Sequence, residues 1–237
     1  KSAINGNRNG WRAQVQGDDE NWSGLIEPRL LESKRQKKQS QKRLPPEERI
    51  NSLISAAASY FAEVGFEGST RELARRIGVT QPLLYRYFPN KDKLIEAVYR
   101  KIYLDRWNPD WDTQLKQRDI PVRERFEAFY NAYTDTIFEP EWLRIYYFAS
   151  LRDAQINRWY NHVVEELILK RLVREHRVER GQEDDIHVSL EELETVWLMH
   201  GGIMQYGVRK YISGFKVLED KRAVIAKALD MYFGVVK

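Results

Sequence analysis

This sequence predicts an all-α fold, and three observations carry the prediction. Apolar residues recur at three- and four-residue spacing along most of the chain, as in Ile50, Leu53, Ile54, Ala57, Phe61 and Val64, which is the stripe of an amphipathic helix. Start and stop signals punctuate that pattern. Ser69 with Glu72 and Ser189 with Glu192 have capping-box spacing, and Gly65, Gly78 and Gly214 stand where helices should end. No stretch alternates apolar and polar residues as a half-buried strand does, and no segment repeats.

The bulk numbers permit this fold and exclude several chemistries. With 237 residues and 42% apolar composition the chain can bury a sizeable core. Thirty-nine basic residues against thirty-five acidic ones leave a formal charge of +4, which permits an anionic partner without requiring one. The absence of cysteine excludes disulfides and thiolate metal sites and fits a reducing cytoplasm. The first thirty residues contain no apolar run of signal-peptide length, and nothing approaches the roughly 18 apolar residues of a membrane span. A soluble, cytoplasmic protein is expected.

Residues 1–44 are a polar extension ending in a basic run from Ser33 to Arg43 with six cations and no acid. That run is either a solvated tail or an arm able to follow a nucleic-acid backbone. Pro45-Pro46-Glu47-Glu48 opens the first helix, with proline tolerated at its start and acids complementing its dipole, and Gly65 ends it. A second, short helix opens at Ser69 and carries Leu73, Ala74 and Ile77 on one face. After Gly78-Val79, Thr80 is the candidate N-cap of a third helix that tolerates Pro82 in its first turn and turns Leu84 and Phe88 inward. A fourth helix is expected from about Asn90 to Trp107, broken by Asn108-Pro109-Asp110.

Further helices follow. Phe126, Phe129, Tyr130, Tyr133 and Ile137 define one that stops at Glu139-Pro140. Leu143, Tyr146, Tyr147 and Leu151 define the next, and Ile156, Trp159, Tyr160, Val163 and Leu167 a third reaching about Arg177. A polar loop spans 180–185. The second capping box opens a helix through Leu193, Val196, Trp197, His200, Ile203, Met204 and Tyr211, and a last helix turns Ile225, Leu229 and Tyr232 inward.

Two short helices joined by a tight glycine turn, the second turning Gln81, Leu83, Arg86 and Tyr87 away from its buried face with Tyr85 at the edge of that face, form a helix-turn-helix suited to a DNA groove. Arg86 can donate a fork to guanine O6 and N7, and Gln81 can address adenine or a phosphate. Residues 47–100 resemble the DNA-binding domain of the TetR family of bacterial regulators. The likeness rests on the Gly-Phe after the first helix, Ser69-Thr70, the turn Leu73-Ala74…Gly78-Val79, the segment Thr80 to Phe88, and Asn90-Lys91-Asp92-Lys93-Leu94. The connection from Gly65 to Ser69 is one residue shorter than that family's usual pattern.

The resemblance implies a helix-turn-helix DNA-binding domain at 45–100 and a helical effector-binding and dimerisation domain at 101–237. It implies phosphate contacts from Thr70, Tyr85 and Lys91, with Arg71, Pro82, Leu83, Tyr87 and Lys93 as further groove or backbone neighbours. It also implies a homodimer paired through the last two helices on a near-palindromic operator, and repression relieved by a small apolar or aromatic effector. Candidates for that effector's pocket are Phe129, Tyr130, Tyr133, Trp142, Tyr146, Tyr147, Trp159, Tyr160, Trp197, His200 and Met204, although an aromatic stripe at helical spacing equally describes plain core. Gly201, Gly202 and Gly207 weaken the helix that carries them, which suggests a close approach at a dimer interface, beside the pocket, or a kink.

Catalytic signatures are absent. His162, His176, His187 and His200 are scattered, and there is no HExxH, phosphate-cradling loop or nucleophile elbow. No enzyme activity, cofactor or metal is expected. Two rivals stand: a regulator of this kind with no effector, and a helical small-molecule binder or enzyme that no longer acts on DNA.

Overall fold

The computed structural model describes residues 45–152, 154–183 and 187–236, without the side chains at 104, 154–156 and 159. The N-terminal extension, with its basic run, lies outside the described residues, as does part of the 180–185 loop. Residues 46–237 cluster as one compact unit. The described residues of that unit are helical throughout.

Helix α1 (Pro46–Val64) buries Leu53, Ile54, Ala57, Ala58 and Phe61, while Val64, expected on the same stripe, is exposed. It lies across α4 (Lys91–Tyr99) and α7 (Pro140–Arg152). Between α1 and α4 come α2 (Thr70–Arg76) and α3 (Gln81–Tyr87), packed on each other. Gly78 holds φ +69° at the turn between them, a conformation that costs a residue with a Cβ. Ser69 caps α2 by accepting from the Arg71 and Glu72 amides. The expected capping box is only half formed, because the Glu72 carboxylate turns to Arg75 and Arg76 instead of the Ser69 amide. Two guanidiniums outcompete one backbone N–H for that carboxylate.

The fourth helix does not run unbroken to Trp107. It passes at Tyr99 into a π-helical turn, Arg100–Leu104, and a short helix α5 (Asp110–Leu115), absent from the sequence reading, follows. Helices α6 (Val122–Ile137), α7, α8 (Ala154–Val164) and α9 (Lys170–Glu179) surround the core, and α10 (Leu190–Tyr211) and α11 (Lys221–Val235) pack on each other at its edge. A second π turn, Glu165–Leu169, joins α8 to α9. A π turn inserts an extra residue and rotates the face that follows. Ile168, Leu169 and Leu172 are therefore fully buried, while Leu167, expected inward, is half-buried. On α7 the inward set is Trp142, Leu143, Ile145 and Ala149, whereas Tyr147 and Leu151 are exposed.

Ser189 and Glu192 do form the reciprocal capping box of α10. Among the three glycines of that helix, only Gly207 marks a close approach. A Cβ there would sit 2.4 Å from the Phe138 ring, whereas Gly201 and Gly202 face open space. One ion cluster is buried around α9. Glu175 accepts from Arg125 at 2.9 Å and from Arg118 at 3.1 and 3.2 Å. Burial alone would raise its carboxyl, but the Arg118 and Arg125 hydrogen bonds outweigh that and hold it below the usual carboxylate range.

Candidate functional site

The two-helix unit sorts its cations into engaged and unengaged. Arg75 forks onto Glu72 at 2.7 and 2.8 Å, Arg76 bridges Glu72 and Glu63, and Lys93 reaches Glu96 at 2.8 Å. Arg75, then Arg76, hold the Glu72 carboxyl down to about 2. Arg71, Arg86 and Lys91 have no carboxylate partner among the described residues. Arg86 extends from the exposed side of α3 with its guanidinium 5.7 Å from the Tyr87 ring, a contact that orients the fork without neutralising it. Lys91 is the first residue of α4, whose N-terminus is capped by Asn90 through the Lys93 amide at 2.8 Å.

Thr70, Tyr85 and Gln81 form one network. The Thr70 and Tyr85 hydroxyls lie 2.9 Å apart, and Gln81 Nε2 donates to Thr70 Oγ1 at 3.0 Å. Thr70 is buried, while Tyr85 is 37% exposed. The network ties the start of α2 to both ends of α3 and fixes the angle at which α3 presents Arg86. It also engages one N–H of the Gln81 amide, leaving its second N–H and its Oε1 to address a base. Pro82 is exposed and Leu83 half-buried in the first turn of α3, where Thr80 accepts from the Leu83 amide.

A cavity of about 570 Å³ opens between α7, α8 and α10. Seven of the eleven residues expected at a pocket line it: Tyr133, Tyr146, Tyr147, Tyr160, Trp197, His200 and Met204. Phe129, Tyr130 and Trp142 lie outside the lining and are fully buried. Phe129 stacks on Tyr133 at 5.4 Å between ring centres, and Trp142 on Tyr146 at 5.5 Å. They are the wall behind the lining. The Trp159 side chain lies outside the described residues.

The lining also holds four polar residues missed in the sequence: Ser150, Asn157, Arg158 and Asn161. Asn157 and Asn161 stand four apart on one helix, and that spacing was the available signal. Tyr133 and Tyr160 hydroxyls meet at 2.6 Å, and Tyr146 donates to Asn161 Oδ1 at 2.9 Å. Burial pushes the phenols of Tyr130, Tyr133 and Tyr160 up, so they stay neutral donors and acceptors. His200 is 4% exposed, with Nδ1 3.1 Å from the Tyr130 hydroxyl. Burial pushes it down to about 4, so its imidazole is neutral near pH 7.

Helix α7 connects the two regions. It contributes Tyr146, Tyr147 and Ser150 to the cavity. From the same helix Arg152 reaches Asp92 at 3.1 Å and Glu67 at 3.5 Å, and Glu141 accepts from Ser59 at 2.9 Å. The Phe148 ring packs over Gly65, 3.5 Å from where a Cβ would stand.

Comparison with known proteins agrees with this geometry. Residues 53–98 match the family described as bacterial regulatory proteins, tetR family. The class A tetracycline repressor protein of transposon 1721 from Escherichia coli is 49% identical over 49 residues, 20% of this chain and 23% of that protein. The HTH-type transcriptional activator FasR of Mycolicibacterium smegmatis is 38% identical over 60 residues, 25% of this chain and 27% of that protein. The chain thus spans only about a quarter of these curated relatives' own length. The fold likeness reaches further. The crystal structure of a TetR family transcriptional regulator from Pseudomonas syringae superimposes with a TM-score of 0.54 at 17% identity, covering 81% of this chain and 97% of that one. A helix-turn-helix that matches the tetR family in sequence over residues 53–98 thus stands on a helical body that shares the fold of TetR family structures.

Proposed function

We propose that the protein is a sequence-specific DNA-binding transcriptional regulator, acting as a homodimeric repressor whose operator grip is relaxed by a small aromatic effector. The observation that carries this reading is the unneutralised Arg86 on the exposed side of α3, held in place by the Thr70–Tyr85–Gln81 network while Arg75, Arg76 and Lys93 are paired elsewhere. In this reading residues 45–100 bind DNA, with α3 in the major groove, Arg86 reading a guanine, and Arg71, Tyr85 and Lys91 holding phosphates.

Residues 101–237 provide the effector cavity and the dimer face. Leu190, Leu198, Met231 and Val235 on α10 and α11 are all more than two-thirds exposed, an apolar surface suited to a second copy. Gly202 leaves open space beside α10, which would let a partner helix approach closely, while Gly201 lines the cavity. An occupant of the cavity displaces α7, and Arg152 and Phe148 pass that displacement to the Gly65–Ser69 connection and the start of α4. Such an effector shifts the equilibrium only by its difference in affinity for the two arrangements. One relative is named a repressor and another an activator. Repression is preferred here because it needs only operator occupancy.

Selection of bound duplexes from a random pool, repeated at two salt concentrations, tests the proposal. A two-fold-symmetric motif that survives the higher salt supports it. Sequence-blind binding that collapses with salt would leave only general phosphate attraction and refute it.

A further inference from the structure

The cavity's polar groups are unbalanced in sign and in kind. Its lining contains no aspartate or glutamate and a single charged residue, Arg158. Arg158 is exposed, so it stands at the solvent side of the cavity, and it has no carboxylate partner among the described residues. Deeper in, the Tyr130 hydroxyl is fully buried and His200 Nδ1 is its partner. A buried hydroxyl that fails to donate is costly, so Tyr130 donates to Nδ1, and the neutral imidazole carries its proton on Nε2. That Nε2–H has no protein partner among the described residues, on a side chain that lines the cavity and is almost wholly buried.

Asn161 adds a third donor. Its Oδ1 is occupied by the Tyr146 phenol, which leaves its amide N–H groups. The acceptors of Asn157 and Ser150, by contrast, are engaged. Asn157 Oδ1 receives the Tyr99 phenol, and Ser150 Oγ receives the Asn157 amide while donating to the Tyr146 carbonyl. Most of the remaining surface is aromatic, with Tyr146, Tyr147 and Trp197 beside Met204, flat and polarizable. A volume of about 570 Å³ is in the range of drug-sized ligand sites.

We infer that the cavity takes an aromatic carboxylate of two or three fused rings, its ring system against Trp197 and Tyr146 and its acidic group on Arg158, with His200 Nε2 and Asn161 donating to further acceptor oxygens. A carboxylate is acceptor-only and planar, so it matches the guanidinium fork. A ligand ammonium would meet Arg158 with no compensating carboxylate among the described residues of the lining. This inference rests on the effector role proposed above and names the ligand's chemical class.

Calorimetric titration of the full chain with 2-naphthoate, 2-naphthamide and 2-naphthylmethylammonium tests it. The protein should bind 2-naphthoate at least tenfold more tightly than the amide and discriminate more strongly against the ammonium. Arg158→Gln should remove the preference for the acid while leaving amide binding within about twofold, so that loss of folding is not mistaken for loss of the contact. Equal affinity for acid and amide, preference for the ammonium, a preference that survives Arg158→Gln, or no binding of any probe at millimolar concentration would overturn the inference. Operator selection is read separately. If it succeeds while the titrations fail, the ligand class is wrong and the regulator reading stands.

Discussion

His200 makes the chain's stability depend on pH in a window where its carboxylates do not. Its imidazole is buried and pushed from 6.5 down to about 4. In the unfolded chain it takes up a proton as pH falls below about 6.5, while in the folded chain it stays neutral until about 4. Its contribution to stability is thus fully present above pH 6.5 and is lost as pH falls toward 4. At about 1.4 kcal/mol per pH unit the whole effect is about 3 kcal/mol, of which about 2 kcal/mol falls between pH 7 and pH 5.

Replacing His200 with Gln keeps a polar side chain near the Tyr130 hydroxyl and removes the titration. Urea unfolding followed by far-ultraviolet circular dichroism at pH 7, 6 and 5 should show wild-type stability declining more steeply than that of the variant, by about 2 kcal/mol over the two pH units. The comparison is of slopes, so any fixed cost of the substitution cancels. His176, also pushed down by burial and by Arg180, contributes equally to both proteins. Glu175 and Glu192 are held below the ordinary carboxylate range, so their losses come at more acid pH. Parallel slopes in the two proteins would refute the reasoning and place the His200 ring in contact with solvent.

Three further outcomes follow from the packing. Glu175→Gln leaves the buried Arg125 guanidinium without its carboxylate and should cost about 3–5 kcal/mol, read as a fall in melting temperature on the order of 10 °C. Gly207→Ala drives a Cβ to within 2.4 Å of Phe138 and should destabilise by about 1–3 kcal/mol, with much of the loss recovered in a Gly207→Ala, Phe138→Leu double variant. Arg152→Ala removes partly exposed ion pairs to Asp92 and Glu67. Melting should therefore shift by no more than about 4 °C, while hydrogen exchange at the Gly68 and Leu94 amides quickens by about two- to fivefold. Unchanged exchange there would remove Arg152 from the link between cavity and DNA-binding unit.

What the sequence made legible is what local chemistry decides. The caps at Ser69, Thr80 and Ser189, the helix start near Asn90 and the glycine turn at 78 depend on neighbours within four residues, so the helix-turn-helix could be read directly. The π turns at 100–104 and 165–169 could not, because nothing in Arg100–Leu104 or Glu165–Leu169 breaks a helix. Tertiary packing selects the extra residue and then re-aims Ile168 and Leu169. Helical spacing also failed to separate wall from cavity. Phe129 and Tyr133 belong to the same stripe, yet only Tyr133 reaches the lining. The engagement of Gln81 by Thr70 joins residues eleven apart on different helices, which no periodicity reports. Arg158 was missed for the complementary reason: a single cation on a helix is usually a solvated surface charge, and only its place in the cavity lining, with no carboxylate partner among the described residues, gives it meaning.

The proposed function turns on Arg86 reading a base rather than merely attracting phosphate. Fluorescence anisotropy with the selected operator, run over a series of salt concentrations for wild type and Arg86→Ala, tests this most directly. A base reader predicts two parallel lines of log affinity against log salt, offset by about 1–3 kcal/mol, with relaxed preference at one base pair in each half-site. Coincident lines, or a slope reduced by about one with base preference intact, would contradict it and make Arg86 at most a phosphate contact.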